Sequence, residues 1–248
     1  MKKFVKGVRF APKNYSDEVE KKIQHYKKEG YKLPSRHLLR TEEQLAGIRE
    51  SAKINTALLE YISANIREGM STAEIDHMVY EFTTDHDAIP APFLYEGFPK
   101  SVCTSINDVV CHGIPSTKEF LRNDIVNVDV STIYKGYFSD ASRMYMIGDV
   151  KPEMQRLVQV AKECRDIGVQ TAQPWVRLGD VGAAIQEHAE KNGYSVVRDL
   201  CGHGVGIKFH EEPDVEHFGK RGTGMLIVPG MTFTIEPMIN MGTYEVFI

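Results

Sequence analysis

The sequence predicts an α+β protein built from two related halves around a shared, mostly antiparallel sheet, and three observations carry that prediction. A pair of amphipathic helical segments is followed by strand-like segments, and the same order then recurs. Between the two sets lies one strongly alternating hairpin with two aspartates on one face. With 248 residues, 42% apolar and 26% charged, the chain has the length and composition to bury a substantial core.

Residues 17–28 read as a short amphipathic helix with Val19, Ile23 and Tyr26 on one side. Gly30 and Pro34 break that pattern, so residues 1–40 read as a basic N-terminal extension and linker, and 41–248 as the main body. Thr41-Glu42-Glu43-Gln44 has the spacing of a capping box opening a long helix, whose apolar stripe runs through Leu45, Ile48, Ala52, Leu59 and Ile62. Gly69 interrupts it. Ser71-Thr72-Ala73-Glu74 opens a second helix carrying Ile75, Met78, Val79 and Phe82, and strands are expected over 100–106 and 109–112.

The hairpin follows. Ile125-Val126-Asn127-Val128-Asp129-Val130 alternates, Lys135-Gly136 supplies a two-residue turn, and 137–146 runs back. That turn pairs Tyr134 with Tyr137, sets Ser131 opposite Asp140, and makes Asp129 the same-face diagonal neighbour of Asp140. Like charges so close repel, and burying them is costly unless a proton or a cation lies between them. A divalent metal would satisfy both.

In the second half Pro152 suits the first turn of a helix reaching about residue 172, and 179–191 makes its partner, stopped near Gly193. Strand-like pieces then bear His203, His210 and Glu236. His203 sits in Gly202-His203-Gly204-Val205-Gly206, where glycines let a ligand approach closely. Glu236 ends Thr232-Phe233-Thr234-Ile235-Glu236 ahead of Pro237, on the face opposite Phe233 and Ile235. His112, followed by Gly113, has a setting like that of His203. His25, His37, His77, His86, His188 and His217 read as surface or packing residues.

Composition excludes several classes. No apolar run approaches the roughly 20 residues of a membrane span, and the basic start lacks the apolar stretch of a signal peptide, so a cytoplasmic protein is expected. Cys103, Cys111, Cys164 and Cys201 are scattered without a Cys-x-x-Cys pair, which fits reduced, mostly buried thiols. The net charge of −4 divides into +8 over residues 1–40 and −12 over the rest. Such an arm either meets a polyanionic partner such as RNA or is simply a solvated face.

The succession Val110-Cys111-His112-Gly113-Ile114-Pro115, Asn127-Val128-Asp129-Val130, Phe138-Ser139-Asp140-Ala141-Ser142-Arg143, Gly202-His203-Gly204-Val205-Gly206, Phe209-His210-Glu211 and Thr234-Ile235-Glu236-Pro237 resembles the type I methionine aminopeptidases from about Thr41 onward. The resemblance implies the pita-bread fold, with helices on a curved antiparallel sheet in two pseudo-symmetric halves. It implies two divalent ions (Co, Mn, Fe, Zn or Ni), with Asp129 a ligand of one, Asp140 shared by both, and His203 and Glu236 on the other. It makes His112 the partner of the scissile amide, His210 the group steadying the carbonyl oxygen, and Glu236 a carrier of the proton. Tyr95, Phe98, Cys103 and Phe209 would line a methionine pocket. The implied activity is removal of the initiator methionine from nascent chains with small second residues, by a monomer whose basic extension faces the ribosome. An X-Pro aminopeptidase and a metal-free ribosome-associated binding protein on the same scaffold are the alternatives. The family pattern also has a further bridging glutamate well beyond Glu236, whereas this sequence stops twelve residues after it. Glu245 comes too early to replace that residue. The expectation is a cut chain lacking C-terminal strands; one ending naturally at 248 would lose most activity.

Overall fold

A computed structural model describes residues 15–247; the rest of the basic extension, residues 1–14, lies outside the described residues. The first helix, α1 (Asp17–Lys28), has the expected bounds, with Ser16 accepting the Val19 N–H as its cap. α2 (Glu42–Asn65) and α3 (Thr72–Asp85) each begin with the expected capping box, Thr41 with Gln44 and Ser71 with Glu74.

These two helices lie on a four-stranded antiparallel sheet. Its centre is β3 (Ile125–Tyr134), paired along its length with β4 (Tyr137–Met146); β1 (Ile89–Pro90) and β2 (Cys103–Ile106) share its other edge. Lys135 and Gly136 both have positive φ, 50° and 83°, as a two-residue primed turn requires. The register is the expected one: Tyr134 faces Tyr137, Ser131 faces Asp140 and Asp129 faces Ser142. Val126, Val128 and Val130 are fully buried against Leu58, Ile62, Ile75 and Val79, each contributing roughly 1.5–3 kcal/mol. Alternation then forces Asp129 to the opposite face. Two buried polar residues of α2 fasten it to β3. Ser51 donates to the Thr132 carbonyl and Asn55 to the Val130 carbonyl, each at 2.9 Å.

The second half repeats the plan with α4 (Pro152–Thr171) and α5 (Leu178–Lys191), packed so closely that a methyl group at Gly168 would lie 2.7 Å from Ile185. Its strands are short: β5 (Tyr194–Val196) pairs with β8 (Ile239–Met241), and β6 (Gly202–Gly204) with β7 (Glu211–Val215). The sheet is therefore not continuous between the halves among the described residues. They join instead through the Phe138 N–H, which donates to the Gly206 carbonyl at 2.9 Å.

Two expected strands differ. Residues 109–112 form a loop, because Asn107 and His112 adopt positive φ (both above 50° or at it) and Asn107 turns its amide to Asp124. Residues 231–237 lie along β6 with one bridge, Gly204 with Phe233, and two backbone bonds, Thr234 N–H to the His203 carbonyl at 2.8 Å and Val205 N–H to the Thr232 carbonyl at 3.3 Å. Threonine hydroxyls add to these, Thr234 accepting from the His203 N–H and Thr232 donating to the Val205 carbonyl.

The segment expected to be a linker, 30–40, is seated on the second half. Ile23 of α1 packs with Leu39 and Val228, Tyr26 stacks on Trp175, and the Arg40 N–H donates to the Gly230 carbonyl. Leu38, Leu39 and Arg40 are buried. No helix among the described residues is long and apolar enough to cross a membrane.

Candidate metal centre

The two halves bring their acidic and imidazole side chains to one place. Ligand atoms of Asp140, His203 and Glu236 all lie within 4.8 Å of one another. His203 Nε2 is 3.3 Å from Asp140 Oδ2 and 3.6 Å from Glu236 Oε1. Asp129 adjoins this cluster through Asp140, within hydrogen-bond reach of it. The hairpin register thus delivers the carboxylate pair, and β6 and residues 231–237 deliver the other two groups.

The histidine is oriented to ligate. Its Nδ1–H donates to the Gly204 carbonyl at 2.9 Å, which directs Nε2 toward the carboxylates. Burial opposes its charge, but hydrogen bonds to Asp140 and Gly204 and the Glu236 charge outweigh that, and its pKa is raised. Gly204 is fixed by space: a Cβ there would lie 2.1 Å from the Glu212 carbonyl oxygen of β7.

The carboxylates have the electrostatics of an acidic site built for a counter-ion. Asp129 is pushed well above the usual carboxylate range by burial, then by Asp140 and Glu236. Glu236 is raised to about 7 by burial and the Asp140 charge, opposed by its Thr234 hydrogen bond and by His203. Three mutually repelling, partly desolvated carboxylates with an imidazole beside them fit a divalent cation of the Mn-to-Zn series, which would take the place of the protons they hold without it.

Glu236 has a support that the sequence reading placed among packing residues. Its backbone N–H lacks a ladder partner and donates to His217 Nε2 at 3.0 Å; His217 is 1% exposed and held neutral by burial, with its pKa lowered to about 4. Alternation gives the signal for it: Pro213, Val215 and His217 are buried while Glu212, Asp214 and Glu216 are exposed. A His217→Leu variant should therefore bind Mn²⁺ about tenfold more weakly by calorimetry, as loss of ligand-orienting partners typically does. His217→Gln, which keeps an acceptor, should lose less.

The remaining predicted residues lie nearby to different degrees. His210 is exposed, its ring 4.2 Å from that of His203, and its pKa is lowered by burial and by His203. Tyr95 and Phe209 meet edge to face at 4.9 Å, and Phe138, which sequence reasoning left out, stacks on Phe209 at 6.2 Å. Cys103 sits opposite Asp129 in the ladder, buried. Phe98 closes the turn on Tyr95 by donating its N–H to the Tyr95 carbonyl. His112 is exposed on its loop, close enough for its charge to bear on His210.

Comparison with known proteins agrees with this geometry. The model of a family described as Metallopeptidase family M24 matches residues 46–248. A methionine aminopeptidase of Rickettsia prowazekii is 45% identical over 207 residues, covering 84% of this chain and 80% of that protein. The solved structure of a Rickettsia prowazekii methionine aminopeptidase superposes with a TM-score of 0.81 at 46% identity over 84% of each chain. One from Thermotoga maritima gives 0.83 at 33% identity over 85% of each.

Proposed function

Because the chain belongs to metallopeptidase family M24, we propose that it is a metallo-aminopeptidase that removes the initiator methionine from new polypeptides in the cytoplasm, favouring small second residues. The observation that carries this reading is the convergence of Asp140, His203 and Glu236 beside the aromatic pair Tyr95 and Phe209. Asp129 and Asp140 would hold one divalent ion, and Asp140, His203 and Glu236 a second, drawn from Co, Mn, Fe, Zn or Ni. When bound, such ions supply Lewis acidity and lower the pKa of water.

The chain's own groups then have distinct tasks. Tyr95, Phe98, Cys103 and Phe209 accept the apolar thioether side chain. His112 hydrogen-bonds the scissile amide, and neutral His210 donates an N–H to the carbonyl oxygen as negative charge grows there. Glu236, with a pKa near neutrality, takes a proton and passes it to the departing amine.

Metal-loaded protein should release methionine from Met-Ala-Ser and leave Ala-Pro peptides intact; the reverse preference would point to an X-Pro aminopeptidase. Retention of all four candidate ligands disfavours a metal-free binding protein. The monomeric chain would meet the ribosome through residues 1–40, which salt-sensitive co-sedimentation with ribosomes tests. Metal affinity should rise with pH through about 7, since Glu236 must lose its proton to ligate. The Mn²⁺ Kd should be about tenfold weaker at pH 6 than at pH 8 by calorimetry; a flat profile counts against Glu236 as a ligand.

A further inference from the structure

A cavity of about 330 Å³ opens between the segment ahead of α2 and the loop that carries His210. Its lining contains none of the candidate metal ligands or methionine-pocket residues, and meets the site only at His210. We infer that this cavity is the binding site for the third and fourth residues of the peptide substrate, an inference that rests on the aminopeptidase reading above.

The direction of the substrate leads there. With the first side chain toward Tyr95 and Phe209 and the first carbonyl at His210, the chain must leave past the imidazole. Extended residues advance about 3.4 Å each, so the third lies about 7 Å beyond the scissile carbonyl.

The cavity is also built and held open. Arg40, 3% exposed, pairs with Glu211 at 2.5 Å, and Glu211 accepts from the Ile207 and Lys208 N–H groups at 3.1 and 3.4 Å. That pair satisfies itself. What remains on the lining is the amide of Gln44, whose Oε1 already accepts the Thr41 N–H, with His37, Lys208 and Glu212. Lys208 and Glu212 cancel in charge, and the Gln44 amide and Lys208 are donors for carbonyl oxygens. The chemistry fits a neutral polypeptide backbone rather than an anion.

Calorimetry on the metal-loaded full chain, with peptides whose first amide is a reduced CH2–NH bond, tests this without turnover. Wild type should bind Met-Ala-Ser-Ser-NH2 about tenfold more tightly than Met-Ala-NH2, the effect of one or two added hydrogen bonds. Gln44→Glu keeps an oxygen acceptor for the Thr41 N–H that caps α2 but removes the amide donor. Combined with Lys208→Ala, it should shrink that ratio to under about twofold. Equal Kd values for the two peptides in wild type, absence of tetrapeptide binding, or an unchanged ratio in the variant overturns the assignment. Methionine release from Met-Ala-Ser by metal-loaded wild type separately judges the underlying activity, so the two failures are distinguishable.

Discussion

An Asp140→Asn variant is expected to lose metal-dependent turnover of Met-Ala-Ser by about a thousandfold while its metal-free form becomes more stable. The first effect follows from position. Asp140 faces Asp129 diagonally across the hairpin and lies 3.3 Å from His203, so it alone touches both sides of the cluster. Losing a partner that merely orients a ligand already costs about 10–100-fold, and losing a shared ligand must exceed that. The second effect follows from charge. The Asp140 carboxylate is among the causes that raise Asp129 and Glu236, so an uncharged isostere relieves both. About 1 kcal/mol of relief corresponds to a rise of about 2–4 °C in Tm. Rates and scanning calorimetry on the same preparation check both arms. Wild-type turnover, or a lower Tm without metal, would contradict the picture of a destabilised acidic site awaiting a cation.

Arg40→Met should produce the largest loss of stability. The arginine is 3% exposed and its partner Glu211 has a side chain 10% exposed, so removal leaves a buried carboxylate without its counter-charge. Breaking such a pair on one side costs about 3–5 kcal/mol, or roughly 10 °C in Tm for a domain of this size. Arg40 also donates to Thr232 and to the His37 carbonyl, so the change reaches residues on both sides of the junction. The double variant Arg40→Met with Glu211→Gln, in which the stranded charge is gone but the acceptor for the Ile207 N–H remains, should recover more than half of the loss. Failure of that recovery would mean that packing of the arginine stem, rather than charge pairing, dominates.

Local signals made much of this legible from sequence. The hairpin register follows from alternation and a two-residue turn, and the starts of α2 and α3 from their capping boxes; none of these needs a distant partner. The recurrence of a helix pair followed by strands was readable for the same reason, whereas the order in which the strands pair, and the break in the sheet between the halves, depend on distant contacts. Residues 231–237 alternate as expected and pair with β6 over only a few residues, where the hydroxyls of Thr232 and Thr234 supplement the backbone bonds. The loop over 109–112 depends on the Asn107 amide finding Asp124, which apolar patterning does not encode. Arg40 lies in a stretch without periodicity, and its partner is set by the tertiary fold alone. His217 was readable from the exposed and buried alternation of β7 continued past its end, but the charged neighbours mask it.

Asp129 and Asp140 belong to one half of the molecule and His203 and Glu236 to the other, with no continuous sheet between those halves among the described residues. A cation held by all four groups would therefore act as a clasp between the halves as well as a reagent. Its binding energy would add to the stability of the joined halves, as any ligand specific to the folded state does.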